Sequence, residues 1–176
     1  HHCTPPGPLS FTPLDGGAHS EGFDYFVNHE TSEAAVGLEP PHVLALRLYS
    51  TACYKSINGP LREVGSREVH PMPVTVSLIA EAIGKLRAVG AKASHSGRQL
   101  DLWRGMRDVS ASDDFRNRGG TELAPLSTTT QLKVALEYSE SSQSLLFKLK
   151  TDSFMGRGSS IQFLSAFPGE AEVRSH

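Results

Sequence analysis

"LDLWRGM", Leu100 to Met106, is where this chain changes character. The run is short, apolar and aromatic, and its length and bounding residues suit a strand. The residues before it are patterned as helix. "PPHVLALRLYSTACYKSINGPLREV" carries Leu44, Leu48, Ala52 and Ile57, with Cys53 beside them, as one helical stripe that Gly59-Pro60 should stop. "HPMPVTVSLIAEAIGKLRAVG" places Leu78, Ile79, Ala82, Ile83, Leu86 and Val89 on one face, the clearest amphipathic helix, expected to stop near Gly90. The residues after Met106 are patterned mostly as strand. "GGTELAPLSTTT" (Gly119 to Thr130) reads as a strand with a glycine entry. "TQLKVALEYS" is a short helix, with Leu132, Ala135 and Leu136 inward, that Thr129 or Thr130 could cap. "SLLFKLK" alternates Leu145, Phe147 and Leu149 with polar residues, the strand period. "SSIQFLSAF" and "EAEV" complete the β-rich half. Helices first, then strands with a helix between them, argue for α+β over a doubly wound α/β sheet.

Composition agrees with a single globular unit. The 176 residues can bury a real core, and 38% hydrophobic with 20% charged residues is ordinary for a folded domain. The expected division is a flexible arm over 1–22, rich in Pro, Gly, Ser and Thr, and one domain over 23–176. A net charge of -2 offers no basic field for nucleic acid or an anionic membrane. No run of about 18 apolar residues is present, so no membrane span is expected. Cys3 and Cys53 do not make a disulfide scaffold, and the eight histidines show no metal-ligand spacing, so no metal is assigned.

The familiar nucleotide and hydrolase signatures are missing. There is no G-x-G-x-x-G, no G-x-x-x-x-G-K-[ST] and no G-x-S-x-G. Three short pieces remain. Trp103-Arg104-Gly105 puts an arginine inside an apolar strand, where its charge needs an anionic partner. Its fork suits phosphate, although a salt bridge to an acidic neighbour is the simpler reading. Ser127-Thr128-Thr129 ends a strand, where hydroxyls often only cap the next helix. In "FPGEAEV" (Phe167 to Val173), Glu170 and Glu172 would share a strand face about 7 Å apart. For an isolated E-x-E, a solvated acidic face is the plain reading.

Taken in order, these pieces resemble the R-S-E class of mono-ADP-ribosyltransferases, which includes bacterial binary toxins of the iota type and vertebrate ecto-enzymes. The class pattern is an aromatic-Arg strand ("LWRG" here), a G-G-x-E-x-x-x-x-S-T-[ST] strand ("GGTELAPLSTT" here) and an E-x-E strand after a turn. "YKSINGPLR" (Tyr54 to Arg62) is similar to the family's early helix, Y-x-x-I-N-x-x-L-R. The resemblance covers roughly residues 40 to 173. Two departures stand out. Thr129 replaces the last serine of the S-T-S box, and the chain ends three residues after Val173, where the family continues through Leu and Pro into a further strand. A C-terminal strand cut short is therefore expected.

The resemblance implies a split β-sandwich of the ADP-ribosyltransferase type packed with N-terminal helices. It implies NAD+ as substrate, cleaved at the nicotinamide–ribose bond, and a protein arginine as acceptor. It places Glu172 beside the oxocarbenium-like anomeric carbon, with Ser127 orienting Glu172 by a hydrogen bond. Arg104, Gly105, Ser127, Thr128 and Thr129 become NAD+-binding residues: Arg104 at the diphosphate, and Gly105 letting the backbone approach the nicotinamide amide. Glu170 goes with arginine as acceptor, and the turn from Phe163 to Gly169 becomes the acceptor-recognition loop, with Phe167 as an aromatic contact. Phe167 as core filling is an equal alternative. An NAD+ glycohydrolase, an inactive NAD-binding or protein-interaction module, and a plain α+β structural domain are the rival readings.

Overall fold

The computed structural model describes residues 23–28, 37–63, 65–93, 100–151, 158–166 and 172–175. The expected arm over 1–22, Cys3, Phe167 and Glu170 lie outside the described residues.

Among the described residues four helices come first: α1 (Phe23–Val27), α2 (Pro40–Tyr49), α3 (Tyr54–Arg62) and α4 (Pro73–Ala93). Strand β1 (Leu100–Arg107) follows, then α5 (Asp113–Arg118), β2 (Leu126–Thr129), α6 (Leu132–Ser139), β3 (Ser144–Thr151), β4 (Ser159–Ser160) and β5 (Glu172–Ser175). The strands form one antiparallel sheet in the order β3-β1-β2-β5-β4. The α+β order read from the sequence is the observed one.

The helical half holds the main core. Val43, Leu46 and Tyr49 of α2, Ile57 of α3 and Ile79, Ala82, Ile83 and Leu86 of α4 are buried together with Phe26, Leu38, Ile161 and Leu164. The α4 stripe is the expected one, and the helix runs on past Gly90 to Ala93. The α2 stripe is not. Leu44 is 58% exposed, and the inward face belongs to His42, Val43, Ala45, Leu46 and Tyr49. Both faces of this short helix carry apolar residues, so spacing alone does not choose between them. Nor is the segment one helix. Ser50 and Thr51 turn their hydroxyls back onto the carbonyls of Arg47 and Leu48, both at 2.7 Å, which competes with helix continuation. Cys53 then stands exposed at the start of α3. Gly59-Pro60 does not stop α3: Pro60 sits in its last turn, where the missing N–H costs a single bond.

The β half needs three corrections. The Gly119–Thr130 segment is strand only from Leu126 to Thr129. Before it lies α5, whose Ser112 hydroxyl accepts the Phe115 N–H at 3.1 Å and which ends at Gly119 with φ 74°. The "SSIQFLSAF" strand is reduced to Ser159–Ser160, followed by a turn that puts Ile161 and Leu164 into the helical core. In α6, Leu132 and Leu136 are exposed while Ala135 and Ser139 face the sheet. The reason is β1. A Cβ on Gly105 would lie 1.8 Å from the Ala135 carbonyl oxygen, so α6 packs backbone to backbone on the strand. Arg107 fastens its end by donating to the Glu137 and Tyr138 carbonyls at 3.0 and 3.1 Å.

Candidate active site

A cleft of about 400 Å³ opens between the α2–α3 junction, the β1–β2 strand pair and α6. Arg104 and Gly105 of β1 and Ser127, Thr128 and Thr129 of β2 all line it, so the fold gathers residues up to 25 positions apart into one wall. The antiparallel register explains how: Trp103 pairs with Thr129, and Thr129 pairs in turn with Glu172 of β5. Ser127 pairs with Arg174. Glu172 thus occupies the ladder position beside a cleft-lining threonine, in the same cross-strand row as Trp103. Thr129 does not cap α6 directly; its Oγ1 accepts the N–H of Gln131, the residue before the helix, at 3.1 Å.

Arg104 is the most informative side chain. It is half-buried, and its NH1 donates to the Ser127 carbonyl at 3.1 Å. Among the described residues it makes no ion pair with a carboxylate. Burial pushes its guanidinium below the ordinary arginine value, and the neighbouring Arg62 adds to this, while Glu122 acts the other way. A desolvated cation with most of its N–H donors unspent is prepared for an anion.

The opposite wall is only partly legible in the sequence. Tyr49, Ser50, Thr51, Tyr54, Lys55 and Asn58 line the cleft from the helical side. The buried Tyr49 hydroxyl donates to the Pro125 carbonyl at 2.7 Å, and Asn58 Nδ2 donates to the Tyr49 oxygen at 2.8 Å and to Pro125 at 3.3 Å. These bonds tie α2 and α3 to the loop that delivers Ser127. The buried Asn58 Oδ1 has no hydrogen-bond partner among the described residues. The Tyr54–Arg62 pattern is the sequence signal for Asn58; nothing marks Tyr49 apart from other helix aromatics.

On the other side of Arg104 lies a second, more apolar cleft of about 560 Å³, walled by Phe115, Phe147, Leu149, Arg62 and Glu122 among others. Arg62 grips Glu122 with two bonds of 2.9 Å. Burial would raise the Glu122 carboxyl, but Arg62 and the Ala124 N–H (3.1 Å) together hold it below the usual carboxylate range. The same ion pair raises Arg62. Gly105 lines the first cleft, and the structure gives its missing side chain a packing reason, the approach of α6. Among the described residues no cluster of metal-binding side chains occurs, and no helix is long and apolar enough to cross a membrane.

No family model and no curated protein sequence matches the chain. Solved structures do. ADP-ribosyltransferase HopU1 of Pseudomonas syringae pv. Tomato DC3000 superposes with a TM-score of 0.62 at 17% identity, over 91% of this chain and 79% of that one. Plx2a, an ADP-ribosyltransferase toxin from Paenibacillus larvae, gives 0.56 at 19% identity, over 86% and 80%. Exoenzyme S from Pseudomonas aeruginosa, solved with human 14-3-3 protein beta and bound to carba-NAD, gives 0.54 at 17% identity, over 87% and 74%. With helices leading, an antiparallel sheet behind them and near-complete coverage, this chain has the fold of the ADP-ribosyltransferases HopU1 and Plx2a.

Proposed function

We propose that this protein is a mono-ADP-ribosyltransferase that cleaves NAD+ at the nicotinamide–ribose bond and passes ADP-ribose to a protein arginine. The observation that carries the reading is Arg104, a half-buried guanidinium in a cleft, held by one backbone carbonyl and paired with no described carboxylate. A dinucleotide diphosphate is the anion that suits it, and the fold it shares with HopU1 and Plx2a makes NAD+ the natural choice. Exoenzyme S, of the same fold, was solved with a carba analogue of NAD.

In this mechanism Arg104 holds the diphosphate. Glu172, two ladder steps from Trp103, stabilises the cationic anomeric carbon as nicotinamide departs. Nicotinamide leaves as a neutral ring and needs no general acid. Ser127 orients Glu172. Glu170 pairs with the acceptor guanidinium and takes its proton, and Phe167 contacts the acceptor.

The test incubates the protein with labelled NAD+, with and without agmatine, and follows nicotinamide and label. Release of nicotinamide with labelled agmatine is expected. Glu172→Gln should cut release by about a hundredfold or more while NAD+ still binds; unchanged turnover in that variant would exclude the mechanism. Glu170→Gln should abolish agmatine labelling and spare slow hydrolysis. A wild-type protein that releases nicotinamide and labels no guanidinium is a glycohydrolase, and one that binds NAD+ without release is a non-catalytic module.

A further inference from the structure

Trp103 lines the cleft beside Gly105, half-buried, on the strand face that α6 covers. Its surroundings on β3 are charged. Lys148, its cross-strand partner, carries its Nζ 5.1 Å from the indole centroid, and Asp101 Oδ2 meets the same ammonium at 2.6 Å. The Lys148 charge is therefore balanced on the spot by the Asp101 carboxylate. Across the sheet the row continues from Lys148 to Trp103, Thr129 and Glu172. Trp103 and Thr129 of this row line the cleft, and the position of Glu172 is the next along it, two strands from the aromatic ring. An aromatic ring and a carboxylate are both groups that favour positive charge.

We infer that Trp103 is the specificity-determining wall of the cleft, recognising the pyridinium cation of NAD+ and separating the oxidised from the reduced dinucleotide. The inference rests on the NAD+ reading above and adds the residue that reads the charge of the nicotinamide ring. A π face attracts a pyridinium and has no comparable attraction for the neutral dihydropyridine of NADH. The attraction also ends when the bond breaks. The C–N bonding pair stays on the nicotinamide nitrogen, the ring becomes neutral, and Trp103 no longer retains it.

Trp103 is the single tryptophan of the chain, so intrinsic emission reports on this wall alone. The experiment measures NAD+ and NADH binding by equilibrium dialysis for the wild type, Trp103→Phe and Trp103→Leu, with tryptophan emission followed in parallel for the wild type. Saturable quenching by NAD+ is expected. Trp103→Leu should weaken NAD+ by about fivefold, within the range of a partly desolvated cation–π contact, and leave NADH unchanged. Trp103→Phe, which keeps a weaker π face and the better chance of native folding, should retain part of the NAD+ preference. The inference is overturned if NAD+ binds by dialysis with no change in emission, or if both variants keep the wild-type NAD+/NADH ratio. Absence of NAD+ binding in the wild type would instead remove the NAD+ reading, and this inference with it.

Discussion

Gly105→Ala is the perturbation whose cost can be worked most directly from the structure. The added methyl would lie 1.8 Å from the Ala135 carbonyl oxygen and 2.9 Å from both the Ala135 carbonyl carbon and the Ser139 nitrogen. All three are backbone atoms of α6, so no rotamer change relieves the contact. To restore an ordinary carbon–oxygen separation near 3.3 Å, α6 must retreat by about 1.5 Å. That retreat strains the Arg107 bonds to the Glu137 and Tyr138 carbonyls. It also moves Val134 and Tyr138, which line the first cleft. Overpacking of this kind costs about 3 kcal/mol, which for a chain of this size lowers the thermal midpoint by roughly 6–12 °C. Thermal unfolding followed by far-ultraviolet circular dichroism measures it. Gly120→Ala is the control: its Cβ meets only Phe115 ring atoms at 2.9 Å, and an exposed aromatic side chain can swing aside. A Gly105→Ala midpoint within about 2 °C of wild type, less than 1 kcal/mol, would refute the reasoning that backbone contact with α6 demands this glycine.

Arg104→Lys retains the charge and loses the fork, so NAD+ affinity by calorimetry should fall by roughly 1–3 kcal/mol with little change in melting; a lower midpoint with unchanged affinity would mark Arg104 as purely structural. Glu122 is held below its unfolded carboxylate range, so its contribution to stability is full above that range and disappears as pH falls through the folded value. Glu122→Gln should therefore flatten the acid limb of stability against pH, with the two proteins converging at low pH, as checked by urea unfolding across pH. Gly84→Ala, in the interior of α4 with nothing within 4 Å of the new Cβ, should stabilise by about 0.5–1 kcal/mol, seen as a higher thermal midpoint.

Local pattern was enough wherever one physical rule acted alone. The 21-residue α4 has a long apolar face, and burial of Ile79, Ala82, Ile83 and Leu86 follows from helical periodicity. The alternation of Leu145, Phe147 and Leu149 declared β3, and the change of character at Leu100 declared the α+β order. Arg104, Ser127 and Thr129, which the fold brings into one cleft wall, stood out in the sequence because charge and hydroxyls inside apolar strands are unusual enough to notice, and their order along the chain carried the family resemblance. The inward face of α2 was not legible: a ten-residue helix with leucines on several sides turns whichever face its neighbours cover, and α4 covers Val43 and Leu46. The polar α5 has no apolar stripe to reveal it, only the Ser112 cap. The cleft itself belongs to tertiary structure. Tyr49 and Asn58 reach Pro125 across 76 and 67 residues, and the row from Lys148 through Trp103 to Glu172 exists only in the pairing of four strands. Periodicity reports which side of an element is apolar; it holds no information about which distant element will supply the partner, because register and long-range hydrogen bonds are chosen by the packing of the whole fold.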